Sequence, residues 1–427
     1  MSAIGGGRST GAGRGLGRPF AAQLASTGLA NLGDGILGTL APLLALSLTG
    51  SPLLISLLSA ATWLPWLLFG IAAGVVIDRV DRRRAQVVAL SARAAVLGLG
   101  GWLGASGGLT MTWLVLLVLA YGVTEVFADL GATSIVPDLV PADRLSAANG
   151  RVVGVQQVAN SFLGAPLAGA LVVLGAGVGF GTSAALAALA ALVLAVGLRG
   201  RFRKDRGLLQ DGRRGPLGEV REGLEFLFRH PALRPLVIAG SVLNFAFTGY
   251  FAVFVLWVVG PGSALGLTES QYPLLMLGFA AGAVLGSVLV EAVQRRVGEL
   301  VTVNVSLFGS AALLLLPVVW PNPWVVGATL TVVGVVNTLG NVVTQSWRQR
   351  LVPGPLLGRV GGASRALGFG LMPLGALTGG LVAEQFGLAV TFVGAVLVCL
   401  LACGYLARAL GNGADLPLST ADAEALA

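Results

Sequence analysis

Charge is what this sequence has least of. Asp, Glu, Lys and Arg make up only 11% of its 427 residues, against 55% hydrophobic residues, and mean hydropathy is +0.86. So little charge cannot cover a soluble surface; the chain reads as a bundle of membrane spans. Histidine occurs once, at His230, just before Pro231. That excludes an HExxH zinc pair, and no nucleophile has a nearby histidine, so an enzyme is not expected. Lysine also occurs once, at Lys204, and Asp205 follows it. The glycine-rich start, MSAIGGGRSTGAGRGLGRPF, therefore lacks the lysine-Ser/Thr pair of a phosphate loop, and ATP-driven transport by this chain alone is excluded. The two cysteines, Cys399 and Cys403, lie in one apolar run. They form neither a zinc pattern nor a disulfide framework, so no metal and no cofactor are expected.

What the chain has instead is long apolar runs. A hydrocarbon core about 30 Å thick needs about 20 apolar residues per helix. Twelve runs qualify: 20–48, 52–77, 85–105, 113–136, 146–174, 178–198, 233–259, 271–293, 299–318, 323–346, 358–383 and 388–409. Six precede the longest polar segment and six follow it. The expected organisation is an N-terminal tail (1–19), a six-helix bundle (20–198), a linker (199–231), a second six-helix bundle (232–410) and a C-terminal tail (411–427). The first run, about 29 residues, is too long for the core of a cleavable signal peptide.

The net charge of +8 does not call for nucleic acid, because the arginines sit in alternate connections. One side carries Arg79, Arg82, Arg83, Arg84, Arg144, the cluster between Arg199 and Arg214, Arg295, Arg296, Arg348, Arg350 and Arg359. The opposite connections, near 49–51, 106–112, 175–177, 260–270, 319–322 and 384–387, hold no lysine or arginine. This asymmetry places both termini in the cytoplasm. In the linker, Leu217, Val220, Leu224 and Leu227 recur at helical spacing among Glu219, Arg221, Glu222 and Arg229. An amphipathic helix on the cytoplasmic surface is expected there.

The halves echo one another. Leu139-Val140-Pro141 ends the fourth run and Leu351-Val352-Pro353 follows the tenth. An arginine-bearing link comes next in each case, then a helix with proline among small residues, GAPLAGAL from Gly164 and MPLGALTGG from Met372. A duplicated six-helix unit fits this pattern.

Ionisable groups at mid-span cost about 3 kcal/mol or more each. Asp34 in the first run and Glu125 and Asp129 in the fourth bear that cost. Glu125 and Asp129 are four apart and share a helix face. Burial and a nearby like charge both favour a protonated carboxyl. Such a pair can hold a proton near neutrality and release it when water or a cation arrives. Arg93 in the third run is either their counter-charge or a side chain reaching for the cytoplasmic face. Amides cluster too: Asn337, Asn341 and Gln345 in the tenth run, Asn244 with Tyr250 in the seventh, and Gln156, Gln157 and Asn160 in the fifth. The sixth and twelfth runs are nearly free of polar groups, which suits a lipid-facing position. Asn304 in the ninth is an exception to this division.

The link between the second and third runs, GVVIDRVDRRR, resembles the signature loop of the major facilitator superfamily. Gly74, Asp78, Arg79, Arg82 and Arg83 fall on that motif, and Asp81 stands where the family often has glycine. GDG at Gly33–Gly35, LTGSP at Leu48–Pro52, VPDLVPADRLSAANG at Val136–Gly150, and the stretch from SWRQRLVP to GGLVAEQFG (Ser346–Gly387) extend the resemblance over the whole chain. They are similar to the bacterial branch that includes enterobactin exporters and macrolide or tetracycline efflux pumps.

The resemblance implies an all-α membrane protein of twelve helices in two six-helix bundles that rock about a central cavity. It implies proton-coupled export of an amphiphilic small molecule by a monomer in the bacterial inner membrane. The partners are then substrate, protons and lipid, with no nucleic acid. By the family's logic, Asp78 meets the start of the eleventh helix near Val360–Ala363. Arg82 or Arg83 meets Asp138, and together these contacts latch the cytoplasmic side. SFLGAPLAGA (Ser161–Ala170) resembles a reduced form of the antiporter motif. Gly164, Pro166 and Gly169 there would form a bendable, closely packed hinge. An importer of the same fold, or a membrane sensor or scaffold that moves nothing, are the alternatives.

Overall fold

The computed structural model describes residues 17–141, 144–202, 216–260, 262–353 and 356–411, with the side chains of 78, 146, 216, 217, 219, 220, 357 and 358 outside the description. The described chain is almost entirely helical. The first half contains α1 (Arg18–Leu48), α2 (Pro52–Arg79), α3 (Arg82–Ala105), α4 (Met111–Leu139), α5 (Leu145–Gln157), a π-helical stretch (Val158–Gly164), α6 (Ala165–Val173) and α7 (Ala176–Gly197). After α8 (Pro216–Arg229), the second half contains α9 (Leu233–Val258), α10 (Tyr272–Val297), α11 (Glu299–Leu313) and the short α12 (Leu316–Val319). It ends with α13 (Pro323–Leu351), α14 (Leu357–Gly370), α15 (Met372–Phe386) and α16 (Leu388–Gly411). Helices are what apolar runs must form in lipid, because each backbone polar group then finds a partner within its own segment.

Eleven helical stretches among the described residues are long and apolar enough to cross a membrane. The remaining apolar run, 146–174, is one path through α5, the π-helical stretch and α6. Its interruption has a local cause. Pro166 has no N–H to give, and the N–H of Ala165 reaches back five residues to the carbonyl of Asn160. The extra residue per turn makes a π-bulge, a form common at functional sites.

Links are short and capped. Ser51, Asp81, Thr110 and Asn322 accept backbone N–H bonds at the starts of α2, α3, α4 and α13. Gly298 alone joins α10 to α11 with φ of 82°, a left-handed conformation that glycine adopts without strain.

The two halves meet chiefly where α2 packs on α14 and α15 and where α6 packs on α10. The seam is tight at the arginine-free end. Ser51 Oγ and the N–H of Leu53 donate to Glu384 Oε2 at 2.9 and 3.2 Å, and Gly169 lies against Pro273 and Ser270. At the arginine-bearing end, a Cβ added at Gly74, Gly361 or Gly362 would meet nothing within 4 Å.

The amphipathic helix α8 docks on α14. Leu227 is fully buried, Arg359 Nη1 pairs with Glu222 Oε2 at 2.9 Å, and Gly223 sits over the Arg359 carbonyl. His230 follows. It is buried rather than a free loop residue, and its Nδ1 accepts the N–H groups of Ala232 and Leu233 at 3.2 and 3.3 Å. Burial pushes its pKa below the ordinary 6.5. Below that value the unfolded histidine takes a proton that the folded one resists. Its contribution is therefore full above 6.5 and is lost as pH falls through the lower folded value. Thermal unfolding of the purified protein should show a lower midpoint at about pH 5 than at about pH 7.5. That drop should shrink in His230→Asn, whose side-chain oxygen cannot be protonated in this range.

Candidate functional site

The deepest charges converge from α1, α3 and α4. The Asp34 carboxylate on α1 accepts from Arg93 Nη1 at 2.5 Å and from the Tyr121 hydroxyl at 2.7 Å. Only 12% of the Asp34 side chain and 3% of the Arg93 side chain are exposed. The guanidinium also lies 4.9 Å from the centroid of the Tyr121 ring, a cation–π contact, and its Nε reaches Thr124 Oγ1 at 3.4 Å. Tyr121, Glu125 and Asp129 are spaced by four on α4 and face the same way. Asp129 Oδ1 accepts from Gln156 Nε2 of α5 at 3.5 Å. Glu125 makes no hydrogen bond or ion pair with any described residue. A small cavity of about 60 Å³ touches Asp34, Arg93, Glu125 and Asp129.

α1 reaches this position because Gly35 and Gly164 lie backbone to backbone; a Cβ on either would strike the other's helix. This close contact sets the π-helical stretch directly against the helix that carries Asp34. Gly169 and Pro166 lie farther along the same path, Gly169 at the seam with α10.

Two larger cavities lie nearby, and the first of them opens on the cluster. One, about 550 Å³, is lined by Asp34, Glu125, Asn160 and Trp63 of the first half and by Phe247, Phe251 and Tyr272 of the second. The other, about 530 Å³, shares Phe247 and Phe251 and continues along α9, α13 and α14 towards the arginine-bearing end. Asn244, Asn337 and Asn341 line it. Asn244 Nδ2 donates to the Gly368 carbonyl at 3.3 Å, and Asn341 Nδ2 to Asn337 Oδ1 at 2.7 Å. Tyr250, grouped with Asn244 by sequence, instead packs in the core and donates its hydroxyl to the Leu314 carbonyl at 3.1 Å. Gln345 is exposed and lies outside the lining. α16 is not wholly lipid-facing, since its Leu406 touches this cavity.

A sequence model of the Major Facilitator Superfamily matches residues 24–261, more than half of the chain. The chain belongs to the Major Facilitator Superfamily. Its relatives within this transporter family include the multidrug efflux pump Tap of Mycobacterium tuberculosis. That protein is 29% identical over 405 residues, covering 88% of this chain and 89% of the pump. Macrolide efflux protein A of Streptococcus pyogenes is 23% identical over 369 residues, covering 82% of this chain and 86% of the relative. Among solved structures, the nucleoside transporter NupG superposes with a TM-score of 0.72 at 12% identity, over 92% of this chain and all of that one. The twelve-helix fold is thus the facilitator fold, and the chain is a multi-pass membrane transporter.

The facilitator signature loop is a two-residue link, Val80-Asp81, between α2 and α3. Asp81 replaces the usual glycine and works as a clamp: Oδ1 accepts the N–H of Arg84 at 2.9 Å and Oδ2 the N–H of Phe202 at 2.8 Å. Arg82 pairs with Asp138 on α4 at 2.5 Å, which joins two helices of the same half. Arg83 turns the other way and donates from Nη2 to the Ala195 carbonyl of α7 at 2.5 Å. Arg79 is exposed and Gly74 faces open space. The expected contact of Asp78 with α14 involves a side chain outside the described residues.

Residues that sequence reasoning passed over are Tyr121, Thr124, Arg348 and Arg365. Tyr121 signals itself by its spacing from Glu125. Arg348, counted above with the loop charges, and Arg365, within the eleventh run, both line the second-half cavity. The signal of Arg365 is the one that marks Arg93, a guanidinium within an otherwise apolar run, whereas Arg348, just past the end of the tenth run, carries no such signal.

Proposed function

We propose that this facilitator is a proton-coupled exporter of an amphiphilic small molecule, acting as a monomer in the bacterial inner membrane with both termini in the cytoplasm. The observation that carries the reading is Glu125, an embedded carboxyl without a bonding partner among the described residues, at a cavity shared by the two halves. Arg93 is the cation bonded to this group of three carboxyls among the described residues, and Arg365 reaches only Asp129 from across the seam. Glu125 is thus left without a bonded counter-charge among them in a low-dielectric setting, which is costly, and taking up a proton relieves that cost. Asp34, held by Arg93 and Tyr121, is the fixed member of the set. Glu125 is the member free to gain and lose a proton, and Asp129 modulates it. The names of the efflux relatives favour the outward direction.

Positive-inside bias assigns the arginine-bearing end to the cytoplasm, so the cavity faces inward. In this state Glu125 releases its proton to the cytoplasm and cargo enters. Rocking about the seam then exposes the site outside, where Glu125 takes a proton and cargo leaves. The Glu384 contacts with Ser51 and Leu53 hold the outer end shut. Glu384 is exposed, so its loss should cost about 1 kcal/mol of the inward state, roughly fivefold in population. A cysteine introduced at cavity-lining Ser59 should then react faster with an impermeant maleimide applied from outside in Glu384→Ala than in the parent. Equal rates would show that the contact does not gate the outer end.

The export reading is tested in everted membrane vesicles with an acidified lumen. Ethidium and a panel of neutral and anionic dyes are added outside. Accumulation that collapses when the pH gradient is dissipated is expected. Gradient-independent movement, or no movement of any dye, would refute the proposal.

A further inference from the structure

Two guanidinium groups line the second-half cavity, and among the described residues neither is bonded to an anion. Arg348 on α13 and Arg365 on α14 both border it. Among the described residues neither side chain makes a hydrogen bond or an ion pair. Their neighbours on the same helices behave differently: Arg350 pairs with Glu299 and Arg359 with Glu222. Topology accounts for arginines at a membrane face, but Arg365 lies eight residues into α14, about 12 Å along the axis. Asp129, across the seam on α4, and the like charge of Arg348 lie within electrostatic reach of it. Two cations in one cavity repel unless something negative enters between them.

The rest of the wall suits such a visitor. Ser364 Oγ, next to Arg365, is buried and has no hydrogen-bond partner among the described residues. The amides of Asn337 and Asn341 lie on the same wall, and Phe247, Phe251, Phe279 and Phe369 supply the apolar surface. We propose that this half of the cavity is a carboxylate subsite: the cargo carries a carboxylate on an apolar body, gripped between Arg348 and Arg365. The inference rests on the export reading and adds the chemical class of the cargo. It also divides the labour within the cavity. The acidic cluster of the first half handles the proton, and the basic pair of the second half handles the cargo's charge.

The test is equilibrium binding of dansylaminoundecanoic acid and of its methyl ester to the purified full-length protein, read by dansyl fluorescence. The acid is expected to bind about tenfold more tightly than the ester, the scale of one charge-assisted hydrogen bond. Arg348→Gln and Arg365→Gln should each weaken the acid and leave the ester unchanged, so the ester also reports that the variants are folded. Arg348→Lys and Arg365→Lys should keep part of the preference. Equal affinities, no binding of either compound, or a preference that survives the double glutamine variant would overturn the subsite. Glu125→Gln should leave the preference intact. Loss of gradient-driven transport with the acid preference retained counts against export alone, and equal binding with transport retained counts against the subsite alone.

Discussion

Glu125→Gln is expected to abolish gradient-driven accumulation of dye in everted vesicles while leaving dye binding to the purified protein weaker but measurable. Glutamine has the shape of protonated glutamate and cannot lose a proton, so the variant is held in one of the two states that coupling needs. Glu125 has no bonded partner among the described residues, so the change breaks no ion pair and leaves no buried group newly unsatisfied. The protein should therefore fold as well as the parent. Exchange of dye across a membrane without a gradient should persist, because rocking of the halves does not require Glu125 to ionise. A variant that still accumulates dye would move the proton to another carboxyl, and Asp129 would be the next to substitute.

The second large effect is expected at Arg93. It is the only cation bonded to the acidic cluster among the described residues, through Asp34, Thr124 and the Tyr121 ring. Arg93→Gln leaves the Asp34 carboxylate buried with the Tyr121 hydroxyl as its remaining described donor. Breaking one side of a buried pair costs about 3–5 kcal/mol, enough to unfold a marginal membrane protein or lower its thermal midpoint by many degrees. The double variant Asp34→Asn/Arg93→Gln removes both charges together and should recover most of that loss. It should remain inactive in transport. Thermal unfolding in detergent checks the first part and vesicle accumulation the second. If Arg93→Gln were as stable as the parent, the pair would be an incidental contact.

The fold was legible because its cause is simple. Run length against bilayer thickness places the helices, and helical spacing marks α8 between them. What the sequence left open was tertiary. Whether Arg93 pairs with Asp34 or reaches for the membrane face depends on the approach of α1 to α3. Arg82 and Arg83 both stood as candidates for Asp138, yet neighbouring helix positions point about 100° apart, so only one of them can reach it. The structure gives that place to Arg82. The π-helical stretch was visible only as Pro166; the five-residue bond from Ala165 to Asn160 is a property of the packed helix. Arg365 shows the opposite failing. Its signal was present, but an arginine count aimed at topology does not ask how deep each arginine lies.

The most direct test is proton release itself. Purified protein is placed in weakly buffered detergent with a pH indicator, and a dye that the vesicle assay shows to be carried is added. The parent should release protons as the dye binds, and Glu125→Gln, a mimic of the protonated form that should bind the dye more weakly, should release none at saturating dye. Binding without proton release in the parent, or equal release in both proteins, would contradict the assignment of coupling to Glu125.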